Sequence, residues 1–226
     1  MKAILLAAGM GTRLRPLTLT TPKSLITVND EPLLERQIRF LRETGVRDIA
    51  VVTGYLHEKF TYLKKKFAVT LIHNPHYDRY NNLYSMYLAR EYLPGAYVID
   101  ADNYLRRNFL LDKPSTSLYF SAKKPFVNEW VLHTDSQNRI QNITIEEQGN
   151  DYILCGVSYW SETDGRKLVK KLEETVANGD FQNKYWDHIV KENIRDLNVR
   201  LQEIDAWDTH EIDSLEDLKR LHREGF

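Results

Sequence analysis

The sequence predicts an α/β protein with a doubly wound, mostly parallel mixed sheet and an antiparallel extension. Three observations lead there. From the start to Ala101, short apolar runs alternate with stretches whose apolar residues recur every three or four positions, the signature of successive βαβ units. The first run, Ala3 to Ala8, passes directly into Gly9-Met10-Gly11-Thr12-Arg13, a glycine turn placed where a buried parallel strand would end. Beyond Leu105 the pattern changes to several strand-like runs with few helices between them.

Taken in order, Ala3 to Ala8 is the first strand, and Glu31 to Thr44 reads as a helix with Leu34, Ile38 and Leu41 on one face and Gly45 as its stop. Ile49 to Thr53 is a short buried strand closed by Gly54-Tyr55. Leu56, Phe60, Leu63 and Phe67 mark a second helix, with Lys64, Lys65 and Lys66 facing solvent near its end. Val69 to His73 is a strand, Asn82 to Tyr92 a helix, and Ala96 to Ala101 a strand that ends in Asp100-Ala101-Asp102-Asn103. Then come strands over Ser117 to Ala122, Trp130 to His133, Arg139 to Ile145 and Tyr152 to Trp160. Helices over Ser161 to Ala177 and Phe181 to Ile194 follow, then a strand from Val199 to Ile204 and a helix from Ser214 to Arg223 with Ser214 as N-cap. The whole is expected to form one Rossmann-like domain over 1–226, with a nucleotide half over 1–105 and an acceptor half over 106–226. In such sheets ligands bind at the carboxyl ends of the strands, where the glycine loop, Gly54-Tyr55, Asn74 and Asp102 fall.

Composition narrows the function. A chain of 226 residues can bury a core without metals or disulfides. The net charge of −1 argues against nucleic acid as a partner, which would call for a basic excess. Cys155 is the single cysteine, so no internal disulfide forms, and its neighbours Ile153, Leu154 and Val157 mark it as a core residue. No apolar stretch reaches the ~20 residues of a membrane span, and the start does not read as a signal peptide, so a cytoplasmic location is expected. A monomer or weak homodimer is expected, because no long apolar stripe stands out.

The glycine loop carries the first chemistry. Glycines at 9 and 11 permit a tight turn and close approach of a ligand to backbone N–H groups, and Arg13, Arg15 and Lys23 add cations behind it. That combination suits a polyphosphate. It is not a Walker A loop, since no Gly-Lys-Ser/Thr follows, and it is not a dinucleotide fingerprint, since Leu14 stands where a third small residue belongs. Asp100 and Asp102 lie two apart at a strand end and so point to one face. Paired carboxylates there need a balancing cation, and Mg²⁺ with nucleotide phosphates suits their hard oxygens. Asn128-Glu129-Trp130, Tyr185-Trp186-Asp187 and Glu211-Ile212-Asp213 each put acids beside an aromatic or apolar neighbour, an arrangement open to an organic cation or to ordinary core packing with surface acids.

The string Gly-x-Gly-Thr-Arg-Leu, Pro-Leu-Thr and Pro-Lys, matched here between Gly9 and Lys23, resembles the signature of nucleotidyltransferases that couple a nucleoside triphosphate to a phosphorylated small molecule. Asn-Glu-Trp, Tyr-Trp-Asp, Glu-Ile-Asp and Ile-Asp-Ala-Asp-Asn, with Gly-Tyr-Leu at 54–56 and Tyr-Asn-Asn at 80–82, extend the likeness over nearly the whole chain to the bacterial CTP:phosphocholine cytidylyltransferases. The resemblance implies transfer of CMP from CTP to phosphocholine, giving CDP-choline and pyrophosphate. It implies a CTP site built from Leu6, Ala7, Ala8, Gly9, Met10, Gly11, Thr12, Gly54, Tyr55, Asn81, Asn82, Ser85 and Asp100, with Arg13, Lys23 and Asp102 catalytic. It implies Mg²⁺ on Asp102 and Asp213, although Asp213 also reads as a plain helix N-terminal acid and Asn82 as a helix cap. It implies a choline pocket of Glu129, Trp130, Tyr185, Trp186, Asp187 and Glu211. Three other readings stand beside it. One is the same chemistry on 2-aminoethylphosphonate or phosphoethanolamine, another the same chemistry on a sugar 1-phosphate, and the third a nucleotide-sensing module without turnover, against which the intact Arg13, Lys23, Asp102 and Asp213 argue.

Overall fold

The computed structural model describes residues 1–223. Strand β1 (Lys2–Ala7) runs into the glycine loop. The two-residue strands β2 (Thr27–Val28) and β3 (Glu31–Pro32) form a small ladder, and helix α1 (Leu33–Glu43) follows. The helix thus starts later than the sequence pattern suggests, because Pro32 is held extended and Glu31 is engaged in the ladder. Strand β4 (Asp48–Thr53) leads to a short helical turn at His57–Phe60 and helix α2 (Tyr62–Phe67). The single helix expected there is broken because Leu56 takes a left-handed conformation at φ 49°. Lys64 and Lys65 face solvent, while Lys66 pairs with the buried Glu35 at 2.6 Å. Next come β5 (Thr70–His73), α3 (Asn82–Leu88), β6 (Ala96–Asp100) and β7 (Asn103–Leu105).

The second half is organised by two long strands, β8 (Ser117–Thr134) and β9 (Ile140–Trp160). The sequence pattern gives four short strands here. The polar stretches 123–129 and 146–151 continue the ladder instead, pairing Lys123 with Tyr152 and Lys124 with Asp151. Only Phe126 on these arms packs into the core, while Lys123, Pro125, Val127 and Asn128 are exposed, so the apolar alternation that marks a strand is too short to read. The hairpin curls back until Val131 pairs with both Thr144 and Ile153, with Asn128 left-handed at φ 55°. Helices α4 (Glu162–Ala177) and α5 (Asp187–Asn193), strands β10 (Val199–Glu203) and β11 (Thr209–Glu211), and helix α6 (Leu215–Arg223) complete the chain. Residues 181–186, read from sequence as helical, form a loop docked on α3, with the Asn81 N–H donating to Gln182 O at 2.9 Å.

One seven-stranded sheet in the order β10-β8-β9-β6-β1-β4-β5 crosses both halves. Pairing is parallel from β6 through β1 and β4 to β5 and between β8 and β10, and antiparallel on both sides of β9. The extension is therefore antiparallel only through β9, and β8 and β10 resume the direction of β6. Alternation along β1 divides the core: Ala3, Leu5 and Ala7 pack with α1, whereas Ile4 and Leu6 face Leu83, Met86, Leu168 and Leu172 on the opposite layer. This double layer is what delivers the carboxyl ends of β1 and β6 to one edge. The separate β7/β11 ladder joins that edge to α6. No described helix is long and apolar enough to cross a membrane.

Candidate active site

The turn after β1 is shaped by Gly11, which sits at φ 58°, where a Cβ would come within 2.9 Å of Lys23 Cβ and 3.1 Å of Thr18. The Thr18 hydroxyl donates to Gly11 O at 2.8 Å and fixes the turn. Lys23 can therefore lie along the loop and reach the end of β6. Its Nζ donates to Asp102 Oδ2 at 2.7 Å and to Asp213 Oδ1 at 2.5 Å, and Arg13 reaches Asp213 Oδ2 at 2.5 Å. Burial alone would depress the Lys23 ammonium, but Asp102 and Asp213 together hold it above its ordinary value.

Two residues distant in sequence meet because of the small ladder. β7 pairs with β11, Asn103 opposite Glu211, and the Ile212 N–H donates to Asp102 O at 3.1 Å. Asp102, Glu211 and Asp213 then offer carboxylate oxygens that all lie within 4.8 Å of one another. Ser214 and Asp217 form a reciprocal cap on α6, with the Ser214 hydroxyl donating to Asp217 Oδ2 at 2.7 Å and the Asp217 N–H donating back to the Ser214 hydroxyl at 3.2 Å. Asp217 Oδ2 also accepts from the Asp213 N–H at 3.2 Å, so the cap fixes the backbone of Asp213. The donor set is all carboxylate oxygen, its charge balanced here by Lys23 and Arg13, and such a set fits a hard divalent cation. Glu211, expected in the choline pocket, lies with the two acids expected to bind metal. It opens onto the cleft, and confinement together with Asp102 and Asp213 pushes its carboxyl up to about 8. Burial works against the charge of Asp213, but Lys23 and Arg13 outweigh it and hold that carboxyl below its usual range.

A pocket of about 230 Å³ lies beside the loop, lined by Leu6, Ala8, Gly9, Asn81, Asn82, Ser85, Asp100 and Asp102, with Tyr77, Tyr80 and Tyr185. Ala7 lies next to it with Lys23 and Ser24. Gly54 and Tyr55 stand behind the wall: Gly54 packs on Tyr77, and the Tyr55 N–H donates to Ala8 O at 3.1 Å. Met10 and Thr12 lie on the loop outside this lining. Ser85 Oγ accepts from Asn74 Nδ2 at 2.9 Å, and Asn82 Oδ1 accepts from the Trp186 N–H at 2.8 Å. The Asn82 side-chain oxygen thus ties the 181–186 loop to α3 rather than capping its own helix.

A cleft of about 920 Å³ continues from this pocket, and Asn82, Asp100, Asp102 and Tyr185 line both. Its walls include Arg13, Glu129, Trp130, Asp187, Glu211 and Asp213. Trp186 is placed otherwise: its ring is buried edge-on against Trp160 at 5.6 Å, behind the cleft wall. Trp130 and Tyr185 are left as the aromatic walls, with His188 between them, edge-on to Trp130 at 4.7 Å and parallel to Tyr185 at 6.0 Å. Burial raises the Glu129 carboxyl, and burial raises Asp100 well above the carboxylate range, reinforced by Asp102. The floor under Asp100 depends on Gly156, whose φ is 64° and whose added Cβ would collide with the Asn103 amide. Gly156, Asn103, Tyr77, Lys124 and Asp217 were not singled out from sequence. Only Asp217 had a readable signal, three residues after the helix cap Ser214.

Burial pushes Asp187 up to about 6, and the Tyr119 hydroxyl, donating to Oδ1 at 2.7 Å, pulls it partly back. A raised native value means that the folded state holds a proton which the unfolded state has released. Stability therefore falls as pH rises from about 4 to about 6 and is level above that. Asp187→Asn is expected to raise thermal stability at pH 7.5, by at most about 3 kcal/mol, and to leave it nearly unchanged at pH 4. Melting curves at the two pH values check this, and equal gains at both would refute the buried charge.

A doubly wound sheet with a Gly-x-Gly-Thr-Arg-Leu loop facing a carboxylate cluster defines a nucleotidyltransferase, and the MobA-like NTP transferase domain matches residues 3–108. Choline-phosphate cytidylyltransferase of Streptococcus pneumoniae is 46% identical over 98% of this chain and 96% of its own. The solved structure of the CTP:phosphocholine cytidylyltransferase LicC from the same species superposes with a TM-score of 0.95 at 45% identity, covering 99% and 98% of the two chains. A 2-aminoethylphosphonate cytidylyltransferase of Lancefieldella rimae is 35% identical over 96% of this chain and 89% of its own. The chain belongs to the choline-phosphate cytidylyltransferase family.

Proposed function

We propose that the protein transfers CMP from CTP to phosphocholine, releasing pyrophosphate and CDP-choline. The observation that carries this reading is the continuity of the two cavities: the nucleotide pocket beside the glycine loop opens into a cleft with aromatic and acidic walls, and Asp100 and Asp102 lie at their junction. CTP fits with its base among Tyr77, Tyr80 and Asn81 and its triphosphate along Gly9 to Arg13. The trimethylammonium group has no N–H to donate, so the faces of Trp130 and Tyr185 and the field of Glu129 and Asp187 suit it. A phosphocholine oxygen forms the new bond to the α-phosphorus as the α–β bridge breaks, and the electron pair leaves on pyrophosphate. The nucleophile needs no general base, because a phosphate monoester with a second pKa near ~6 is already largely dianionic at neutral pH. Arg13 and Lys23 neutralise the charge that grows on the leaving group. Mg²⁺ on Asp102 and Asp213, with Glu211 as a third donor, would supply charge neutralisation shared by the two phosphates. A cytoplasmic site of action accords with these substrates.

Pyrophosphate release measured with each nucleoside triphosphate against phosphocholine, phosphoethanolamine, 2-aminoethylphosphonate and glucose 1-phosphate tests the reading. CTP with phosphocholine is expected to give the highest kcat/KM. A preference for 2-aminoethylphosphonate would move the assignment to the chemistry of the Lancefieldella rimae relative, and release without any acceptor would overturn it. Trp130→Ala is expected to raise the phosphocholine KM about tenfold and leave the CTP KM near wild type, as loss of a cation–π wall predicts. Trp186→Ala should instead lower the melting temperature, because its ring is core.

A further inference from the structure

We propose that Gln37 is the positioning residue for the catalytic carboxylates: from the core face of α1 it holds the turn that carries Asp102 in register with Asp213. Gln37 is fully buried on a helix face otherwise made of Leu34, Ile38 and Leu41. An amide in such a place is costly unless its polar atoms are bonded. Its Nε2 donates to the Asp100 carbonyl at 3.1 Å and to the Asn103 carbonyl at 2.8 Å. These two carbonyls bracket the Ala101-Asp102 dipeptide. The same turn is held on one side by the Ala101 N–H donating to Leu6 O of β1 and on the other by the Ile212 N–H donating to Asp102 O, both at 3.1 Å. Within the turn the Asn103 amide donates to the Asp100 carbonyl at 3.4 Å, and Gln37 adds a support from the helix layer beneath that grips both ends of the turn with one side chain.

The other end of the amide strengthens the case. Gln37 Oε1 is buried with no partner among the described residues. Leucine or methionine would fill the same volume without stranding an acceptor, so packing does not account for an amide here. Its two donated bonds do. Gln37 lines neither the nucleotide pocket nor the cleft, so its effect reaches the reaction only through Asp100, Asp102 and Asn103.

The inference rests on the reading of Asp102 as a metal-binding carboxylate in CMP transfer. Gln37→Met and Gln37→Leu keep the bulk of the side chain and remove its donors. Four quantities decide: kcat, the phosphocholine KM, the half-saturating Mg²⁺ concentration, and the Mn²⁺ affinity of the CTP-bound protein read by electron paramagnetic resonance with no acceptor present. Both variants are expected to lose about tenfold or more in kcat and about tenfold in metal affinity by either readout, with the phosphocholine KM within about twofold, as for other supports of metal-binding groups. A lowered melting temperature with wild-type kcat and metal response would overturn the proposal and leave Gln37 a packing residue. Should the methionine variant not fold, the leucine variant decides alone, and a wild-type metal response in it is equally fatal. If the wild-type protein released no pyrophosphate with phosphocholine, the functional reading would fall, while the Mn²⁺ comparison would still judge Gln37.

Discussion

Lys23→Ala lowers kcat about a thousandfold, the loss expected when one fixed cation is taken from a site where anionic charge moves in the transition state. The side chain is nearly enclosed, and its ammonium already sits between two carboxylates at 2.7 and 2.5 Å. It thus has two roles that separate by experiment. In the ligand-free protein it neutralises Asp102 and Asp213, so its removal leaves an acidic cluster uncompensated and lowers stability by up to ~3 kcal/mol. Lys23 also lines the space beside Gly9 and Asp102, and under the proposed reaction it neutralises the leaving pyrophosphate. Thermal melts without nucleotide distinguish the roles. Mg²⁺ alone should raise the melting temperature of Lys23→Ala more than that of wild type, because the carboxylates are no longer held by an ammonium. Near-normal turnover in Lys23→Ala would remove it from the chemistry, and an unchanged response to Mg²⁺ would remove it from the acidic cluster.

The contrast between Lys23 and Trp186 shows what sequence could and could not convey. The glycine loop is local: Gly9, Gly11, Arg13 and Lys23 lie within one turn and one short connection, so their spacing alone brings them together. The parallel strands around it are equally legible, since burial on both faces leaves an unbroken apolar run. Trp130, Tyr185 and Trp186 carry the same kind of aromatic face in sequence, and only the packing of Trp160 decides that Trp186 turns inward. The arms at 123–129 and 146–151 lack a clear pattern because most of their side chains are exposed or half-buried and Phe126 alone among these positions packs into the core. Glu211 reads as a companion of Asp213 in Glu-Ile-Asp, yet alternation along an extended segment puts both on the side of Asp102. That geometry was readable from the spacing of two, but its partner Asp102 came from a turn more than a hundred residues earlier, and no local rule joins them. Gln37 was illegible for a related reason: a polar residue among Leu34, Ile38 and Leu41 looks like the edge of an apolar stripe until the carbonyls above it are seen.

Asp102→Asn and Asp213→Asn are each expected to lower kcat about a thousandfold, and the double variant to fall little further. The reason lies in how the pair is assembled. Asp102 is carried by the turn after β6 and Asp213 by the segment before α6, and the two are brought together by the β7/β11 ladder and the Ile212–Asp102 bond, with the Lys23 ammonium between them. Neither carboxylate alone makes a site for a hard cation, so removal of either disables the same unit and the second loss costs little, the non-additivity typical of groups that act together. The two singles differ in one respect. Asp213 also binds Arg13 at 2.5 Å, so Asp213→Asn weakens the hold on that guanidinium as well, whereas Asp102→Asn leaves it in place. The CTP KM should therefore change more in Asp213→Asn than in Asp102→Asn, while the dependence on Mg²⁺ is lost alike in both. Steady-state kinetics across CTP and Mg²⁺ concentrations measure each quantity. Multiplicative losses in the double variant would mean that the two carboxylates work at separate sites, and the shared metal position would have to be abandoned.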